Sequence, residues 1–341
     1  EVRIFAGGAL HYRTDAAIPL VSYSNVDPSL LQADTVRHGG VEIPYWPCFL
    51  DDGQRLKFPV VALEILQYRP QAVLCYGDGS PVQALLAGRV PSVLFPSHSA
   101  APVGPADRYV SLWDRATLDA RVAEGDWPQT VADRAVFGAA GVRYPTPARS
   151  VDRAELVPEA ELILAIVGTR IAGEIRGDFA TRLARFLAER PGVHLLTLGV
   201  ADRQRVLGEE LLPVADQVHC RGYATNLADL LTGCDIALNP DRQGAGTGSA
   251  IAMAAGCPVV SLNRGDTATL LAPSDLSADL DAYFGRLARL VDDADYRAEA
   301  SGRMAERVEA VLGFVPAMQR LVATVEDLAA PGSASGAGSG R

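Results

Sequence analysis

Lysine is almost missing from this chain. Of the 31 basic residues among 341, only Lys57 is a lysine and the rest are arginines. That excludes Schiff-base and other lysine chemistry everywhere but one position. Basic residues are also outnumbered, by 41 acidic ones, and the net charge is −10. A nucleic-acid partner, which calls for a basic stripe, is therefore not expected. Cysteine is scarce: Cys48, Cys75, Cys220, Cys234 and Cys257 are scattered, and no CxxC pair exists. Zinc and iron–sulfur patterns are absent on that count, and no metal site is expected. No apolar run reaches the ~18 residues that span a bilayer, so at most peripheral membrane contact is expected. The thiols lie in or beside apolar runs, which fits buried free cysteines in a reducing cytoplasm. The GxSxG elbow, the HExxH pair and the Walker loop are absent as well.

What is present is apolar. The chain is 48% hydrophobic and 21% charged, enough to bury the cores of two ordinary domains. Short apolar runs alternate with amphipathic stretches. Strands are expected at 2–6, 72–76, 91–95 and 108–113, with helices at 58–66 and 82–87. A further apolar run covers 18–23, and 27–45 reads as irregular and proline-bounded. Between 113 and 158 the pattern loosens around Pro128, Pro145, Pro147 and Pro158. We place the domain boundary there, giving domains over 1–155 and 156–315. The second domain shows strands at 162–167, 193–198, 218–220, 235–239 and 257–262. Helices are expected at 179–189, 203–211, 226–231, 279–290, 296–312 and 315–328. Repeated strand–helix–strand order implies parallel sheets with right-handed crossovers, that is, two doubly wound α/β domains. The low-complexity end, 330–341, cannot build a core and is expected to be a disordered tail.

The most informative stretch is 234–262, CDIALNPDRQGAGTGSAIAMAAGCPVVSL. A buried strand is stopped by Pro240, which lacks an N–H. A loop with Gly244, Gly246 and Gly248 follows, then a helix of small residues and a second strand. Thr247 and Ser249 are placed to cap that helix or to offer hydroxyls to a phosphate. Helix N-termini carry unpaired N–H groups and partial positive charge, and glycines let an anion come close. The loop is neither GxGxxG nor GxxxxGK[ST].

Taken with Gly265-Asp266 beyond it, this segment resembles the donor-binding segment of GT-B glycosyltransferases, in a bacterial branch of the group 1 / family 4-like superfamily. The resemblance implies two Rossmann-like domains facing a cleft, a C-terminal helix (316–329) crossing back to the first, and no bound cofactor. It implies sugar transfer, without a metal, from a UDP-, GDP- or dTDP-sugar to an acceptor that is not identified. Where many retaining members carry E-x7-E, this chain has Asp241 or Gln243 and Ala250 or Ala252.

The resemblance also implies roles. Val167-Gly168-Thr169-Arg170, with Glu174 after it, matches the stretch whose arginine neutralises the donor diphosphate; Arg170 pairing with Glu174 on the surface is the plainer reading. Arg221-Gly222-Tyr223 would meet the nucleotide base. Asn239 would face the crevice or cap the loop, Asp266 would hold a sugar or ribose hydroxyl or cap a helix, and Asn226 is expected as a cap. His11 and His98, each just past a strand end, are the candidate catalytic bases. His194 and His219 are expected to be structural. Two other readings keep the same fold: a non-catalytic subunit partnering another transferase, and a nucleotide-sugar epimerase. A homo-oligomer is compatible with either.

Overall fold

The structure is a computed structural model that describes residues 2–9, 32–50, 57–77, 80–141, 143–244 and 246–330. The run at 18–23, His11 and the tail beyond 330 lie outside the described residues.

Among the described residues, the first half holds seven strands in two sheets. β1 (Ile4–Ala9), β2 (Thr35–His38) and β3 (Val41–Leu50) form one, in the order β1-β3-β2. β1 pairs with β3 in parallel, and β2 with β3 as an antiparallel hairpin. This hairpin replaces the described part, 32–45, of the irregular stretch expected at 27–45. Its turn is Gly39-Gly40, with φ of +57° and +81°, the pair of left-handed residues that a tight hairpin needs. Pro44 and Pro47 hide it in the sequence, because proline within a run argues against a central strand. The second sheet is parallel: β4 (Val73–Tyr76), β5 (Ser92–Phe95), β6 (Arg108–Val110) and β7 (Ala135–Val136), in that order.

The second half is one six-stranded parallel sheet. Its strands are β8 (Leu162–Val167), β9 (Val193–Leu198), β10 (Val218–Arg221), β11 (Ile236–Leu238), β12 (Val259–Leu262) and β13 (Leu276–Ser277). Their order is β10-β9-β8-β11-β12-β13. Five strands are expected from sequence; the sixth, β13, is two residues long and carries no pattern. Counted within this sheet the order is 3-2-1-4-5-6, so the direction of winding reverses between β8 and β11. Both faces are covered. Leu164 and Ile166 face one apolar cluster with Phe179, Leu183 and Tyr283; Ile163 and Ala165 face another with Ile251, Met253 and Met304. Burial on both faces is why these strands read as unbroken apolar runs.

Aspartates start many of the helices. Asp152, Asp202, Asp279 and Asp293 each accept a backbone N–H in the first turn of the helix that follows, which satisfies donors the helix itself cannot. Asn226 holds the cap position of helix Leu227–Thr232 but its side chain makes no capping bond, unlike the expectation. The final helices, Ala294–Leu312 and Phe314–Ala329, break at Gly313. Ala294–Ala329 is long enough to cross a membrane, and an 18-residue window within it reaches a mean hydropathy of 1.4, which the sequence reading missed. Part of that apolar surface is used internally: Leu321 and Leu328 pack with Val93 and Val110 of the first half.

One buried ion pair ties the last strand down. Asp275 accepts from Arg286 at 2.6 Å and lies 3.5 Å from Arg303. Removing one partner of such a pair strands the other charge away from water. Asp275→Ala is expected to cost about 3–5 kcal/mol of unfolding free energy in urea titration; a loss below ~1 kcal/mol would mean the pair behaves as an exposed one.

Candidate active site

The site is built where the sheet reverses, at the carboxyl ends of β8 and β11. β8 runs out at Val167 into Gly168-Thr169-Arg170 and the short helix Ile171–Glu174. The backbone is crowded here. A Cβ on Gly199, whose φ is +125°, would collide with the carbonyl of Gly168, and one on Gly265, at +73°, with that of Arg242.

Beneath the surface lies Arg242, which the sequence reading passed over. Its side chain is 6% exposed. Nε donates to Asn239 Oδ1 at 2.8 Å, Nη1 to Glu174 Oε2 at 2.7 Å and Nη2 to the Val167 carbonyl at 3.0 Å. Asn239 is buried and donates in turn to Ser261 Oγ at 3.0 Å. This corrects the expectation for Asn239 and Glu174: neither is turned toward a ligand, and both hold Arg242. The sequence cue was slight, an arginine three residues past the end of a strand.

Arg170 is the opposite case. Its side chain is 75% exposed, with Nε 3.6 Å from Glu174 Oε1. Its Nη2 lies beside Gly244, 3.1 Å from where a Cβ there would be. The surface pairing with Glu174 is therefore present, and it aims the guanidinium at the glycine loop. That loop leads into helix Gly246–Ala254. Thr169 and Thr247 are exposed at the rim. Ser249 is not: it is buried, and its hydroxyl is shared with that of Thr267 at 2.8 Å. The hydroxyl is committed to the core and is withdrawn from the candidate phosphate ligands. Gly248 packs against the Val167 side chain, seating the helix on the end of β8. Asp241 and Arg264 form a paired contact, 2.5 and 2.6 Å, across the loop's mouth.

The first half closes one side. Ser99 N–H donates to Asp266 Oδ1 at 2.6 Å, and Asp266 N–H donates to the Gln243 carbonyl at 2.6 Å. Asp266 is thus neither a helix cap for Thr267 nor turned away from the cleft; it joins the two halves. Trp113 Nε1 donates to Ser99 O at 2.8 Å, and Arg121, stacked 4.7 Å from the Trp113 ring, donates to the Asn263 carbonyl. These contacts bring His98, one residue before Ser99, to the loop. His98 is half-buried, and its Nδ1 accepts from Ala100 N–H at 3.2 Å. On the far side, beyond β10, Gly222 packs on Ala201, Arg221 is exposed and Tyr223 is 82% exposed. His11 lies outside the described residues.

Residues 163–295 match the family model described as Glycosyl transferases group 1. This part of the chain is a group 1 glycosyltransferase domain. Among solved structures, the chain is similar to Anabaena HepE in complex with UDP, with TM-score 0.61 at 15% identity, covering 84% of this chain and 86% of that one. It is similar to a mutant of Thermobaculum terrenum O-GlcNAc transferase, with TM-score 0.61 at 13% identity over 96% and 67%. It is also similar to WaaG, a glycosyltransferase involved in lipopolysaccharide biosynthesis, with TM-score 0.54 at 13% identity over 82% and 89%. No curated protein matches by sequence. The fold is GT-B, and the family match lies in the second half, over residues 163–295. Arg170, Arg242, the glycine loop and Asp266 all fall within the matched span.

Two arginines of the site should separate by experiment. Arg242→Ala leaves the Glu174 carboxylate buried without its cation and is expected to cost about 3–5 kcal/mol of stability. Arg170→Ala removes an exposed pair and is expected to cost about 0–1 kcal/mol. Chemical denaturation of both variants checks this; equal losses would contradict the assignment of Arg242 as the framework residue.

Proposed function

We propose that this glycosyltransferase takes a uridine-diphosphate sugar as donor and passes the sugar to an acceptor on the first half's side of the cleft. The observation that carries the reading is the exposed guanidinium of Arg170 beside Gly244, at the amino end of helix Gly246–Ala254. A leaving diphosphate gathers negative charge as the glycosidic bond breaks. A planar, always-charged fork can grip two of its oxygens, and unpaired helix N–H groups add to the field. Such preorganised charge acts where charge develops in the transition state, so the proposal includes no metal ion in the step. Thr169 and Thr247 supply rim hydroxyls, and Arg221, Gly222 and Tyr223 line the base side.

The choice of uridine follows similar structures, which hold UDP, UDP-glucose, or UDP with GlcNAc in the case of the pneumococcal O-GlcNAc transferase GtfA. GDP and dTDP are the competing leaving groups. His98 receives a different part from the one expected. With Ala100 N–H bonded to Nδ1, the neutral ring carries its proton on Nε2 and offers a donor, not a base, at that atom. We assign it to a sugar hydroxyl; of the two histidines, His11 is then the one left to act as a base. A cytoplasmic location belongs to the same reading. Burial pushes the Cys75 thiol up to about 11 and that of Cys234 to about 12, which keeps both protonated and inert.

Calorimetric titration of the full chain with UDP, GDP and dTDP tests the reading. One nucleotide, expected to be UDP, binds saturably, and Arg170→Ala weakens it by the ~1.5–3 kcal/mol of a charged hydrogen bond. Unchanged affinity would remove Arg170 from the site. No binding at all, on a folded sample, would favour a non-catalytic partner of another transferase, and interconversion of the sugar nucleotide without acceptor would favour an epimerase.

A further inference from the structure

At the amino ends of the same strands, on the opposite edge of the sheet from the glycine loop, three side chains converge. Glu159 comes from the segment leading into β8, His194 is the second residue of β9, and His219 is the second residue of β10. His194 is buried, His219 half-buried and Glu159 exposed. His194 Nδ1 and His219 Nε2 are 3.0 Å apart, His219 Nε2 is 3.6 Å from Glu159 Oε1, and the three ligating atoms all lie within 4.8 Å of one another.

Without an ion, one ring nitrogen donates to the other across the 3.0 Å contact, and the exposed Glu159 oxygen, 3.6 Å from His219 Nε2, lies beyond hydrogen-bond reach. A metal ion accepts all three lone pairs together. Zinc holds imidazole nitrogen at about 2.0–2.1 Å and carboxylate oxygen at about 2.0–2.2 Å, so ligand atoms at tetrahedral corners sit roughly 3.3 Å apart. The two short separations observed fall on either side of that figure.

We propose that Glu159, His194 and His219 bind one divalent transition-metal ion of the zinc class, with solvent in the remaining position. Two histidines and a carboxylate are a donor set that zinc accepts. The ion would fasten edge strand β10 and strand β9 to the segment that joins the two halves. It lies about 13 Å along the strands from the diphosphate end, at ~3.3 Å per residue, and takes no part in the transfer.

The test uses the full, untagged chain after chelator treatment. Zinc chloride is titrated by calorimetry and cobalt chloride by visible absorption. One equivalent of zinc is expected to bind, cobalt to show the intense band of a tetrahedral site, and thermal unfolding to move upward with zinc. His219→Gln, on a half-buried position, is expected to weaken zinc at least tenfold, to lose the cobalt band, and to keep the wild-type circular dichroism and nucleotide affinity. Glu159→Gln, on an exposed side chain, is a second variant expected to weaken zinc without a folding cost. Failure of the wild-type chain to bind zinc saturably, or one-equivalent binding that persists in His219→Gln, would overturn the proposal. Because nucleotide affinity is read separately, the outcome stands apart from that of the donor site.

Discussion

Arg242 is the interaction on which the rest of the site depends. A guanidinium removed from water must have its donors met, and here they are met from three directions: the end of β8, the helix after it and the end of β11. The consequences spread outward. Gly168 has room only for a hydrogen, because a Cβ would meet Arg242 Nη1. Asn239 accepts from Arg242 with its oxygen and donates to Ser261 with its nitrogen, a double role that a carboxylate lacks the donor to fill. Glu174 spends one oxygen on Arg242 and keeps the other near Arg170. The exposed cation is thus oriented by a buried one, through a shared carboxylate.

That arrangement divides two tasks which a single arginine performs poorly. A buried cation held by three hydrogen bonds gives rigidity but is turned away from a ligand. An exposed cation keeps its donors but is held loosely, since surface pairs contribute ~0–1 kcal/mol. Placing Glu174 between them lends the outer arginine the order of the inner one. The near absence of lysine fits the same logic. Both positions need a planar fork with several fixed donors, and an ammonium on a flexible stem supplies neither the geometry nor the number.

The sheet of the second half was legible because its strands are buried on both faces and so read as unbroken apolar runs, a local signal. The glycine loop and Arg170 were singled out by resemblance, and the structure places them side by side. What escaped had no local signal or a misleading one. The β2–β3 hairpin was masked by Pro44 and Pro47 although Gly39-Gly40 marked its turn. β13 is too short to show periodicity. Thr247 and Ser249 looked equivalent two residues apart, yet on a helix that spacing puts them on different sides, one at the rim and the other in the core. Arg242 was missed because charge in a loop reads as solvent-exposed, and burial became visible only when three distant partners were assembled around it. His194 and His219 looked like isolated strand histidines until strand pairing brought them together.

The contact between Ser99 and Asp266 spans 167 residues, and no reading of local sequence could have found it. It also settles what positions His98. Asp266 is bonded to the Gln243 carbonyl of the glycine loop, and its Cβ stands against Gly246 at the start of the helix. The residue next to His98 is therefore anchored to the very turn that shapes the loop. His98 takes its place from the second half as much as from its own sheet, whose last contribution is β5 ending at Phe95. A histidine held this way stays registered to the glycine loop even though the chain reaches it from the other half.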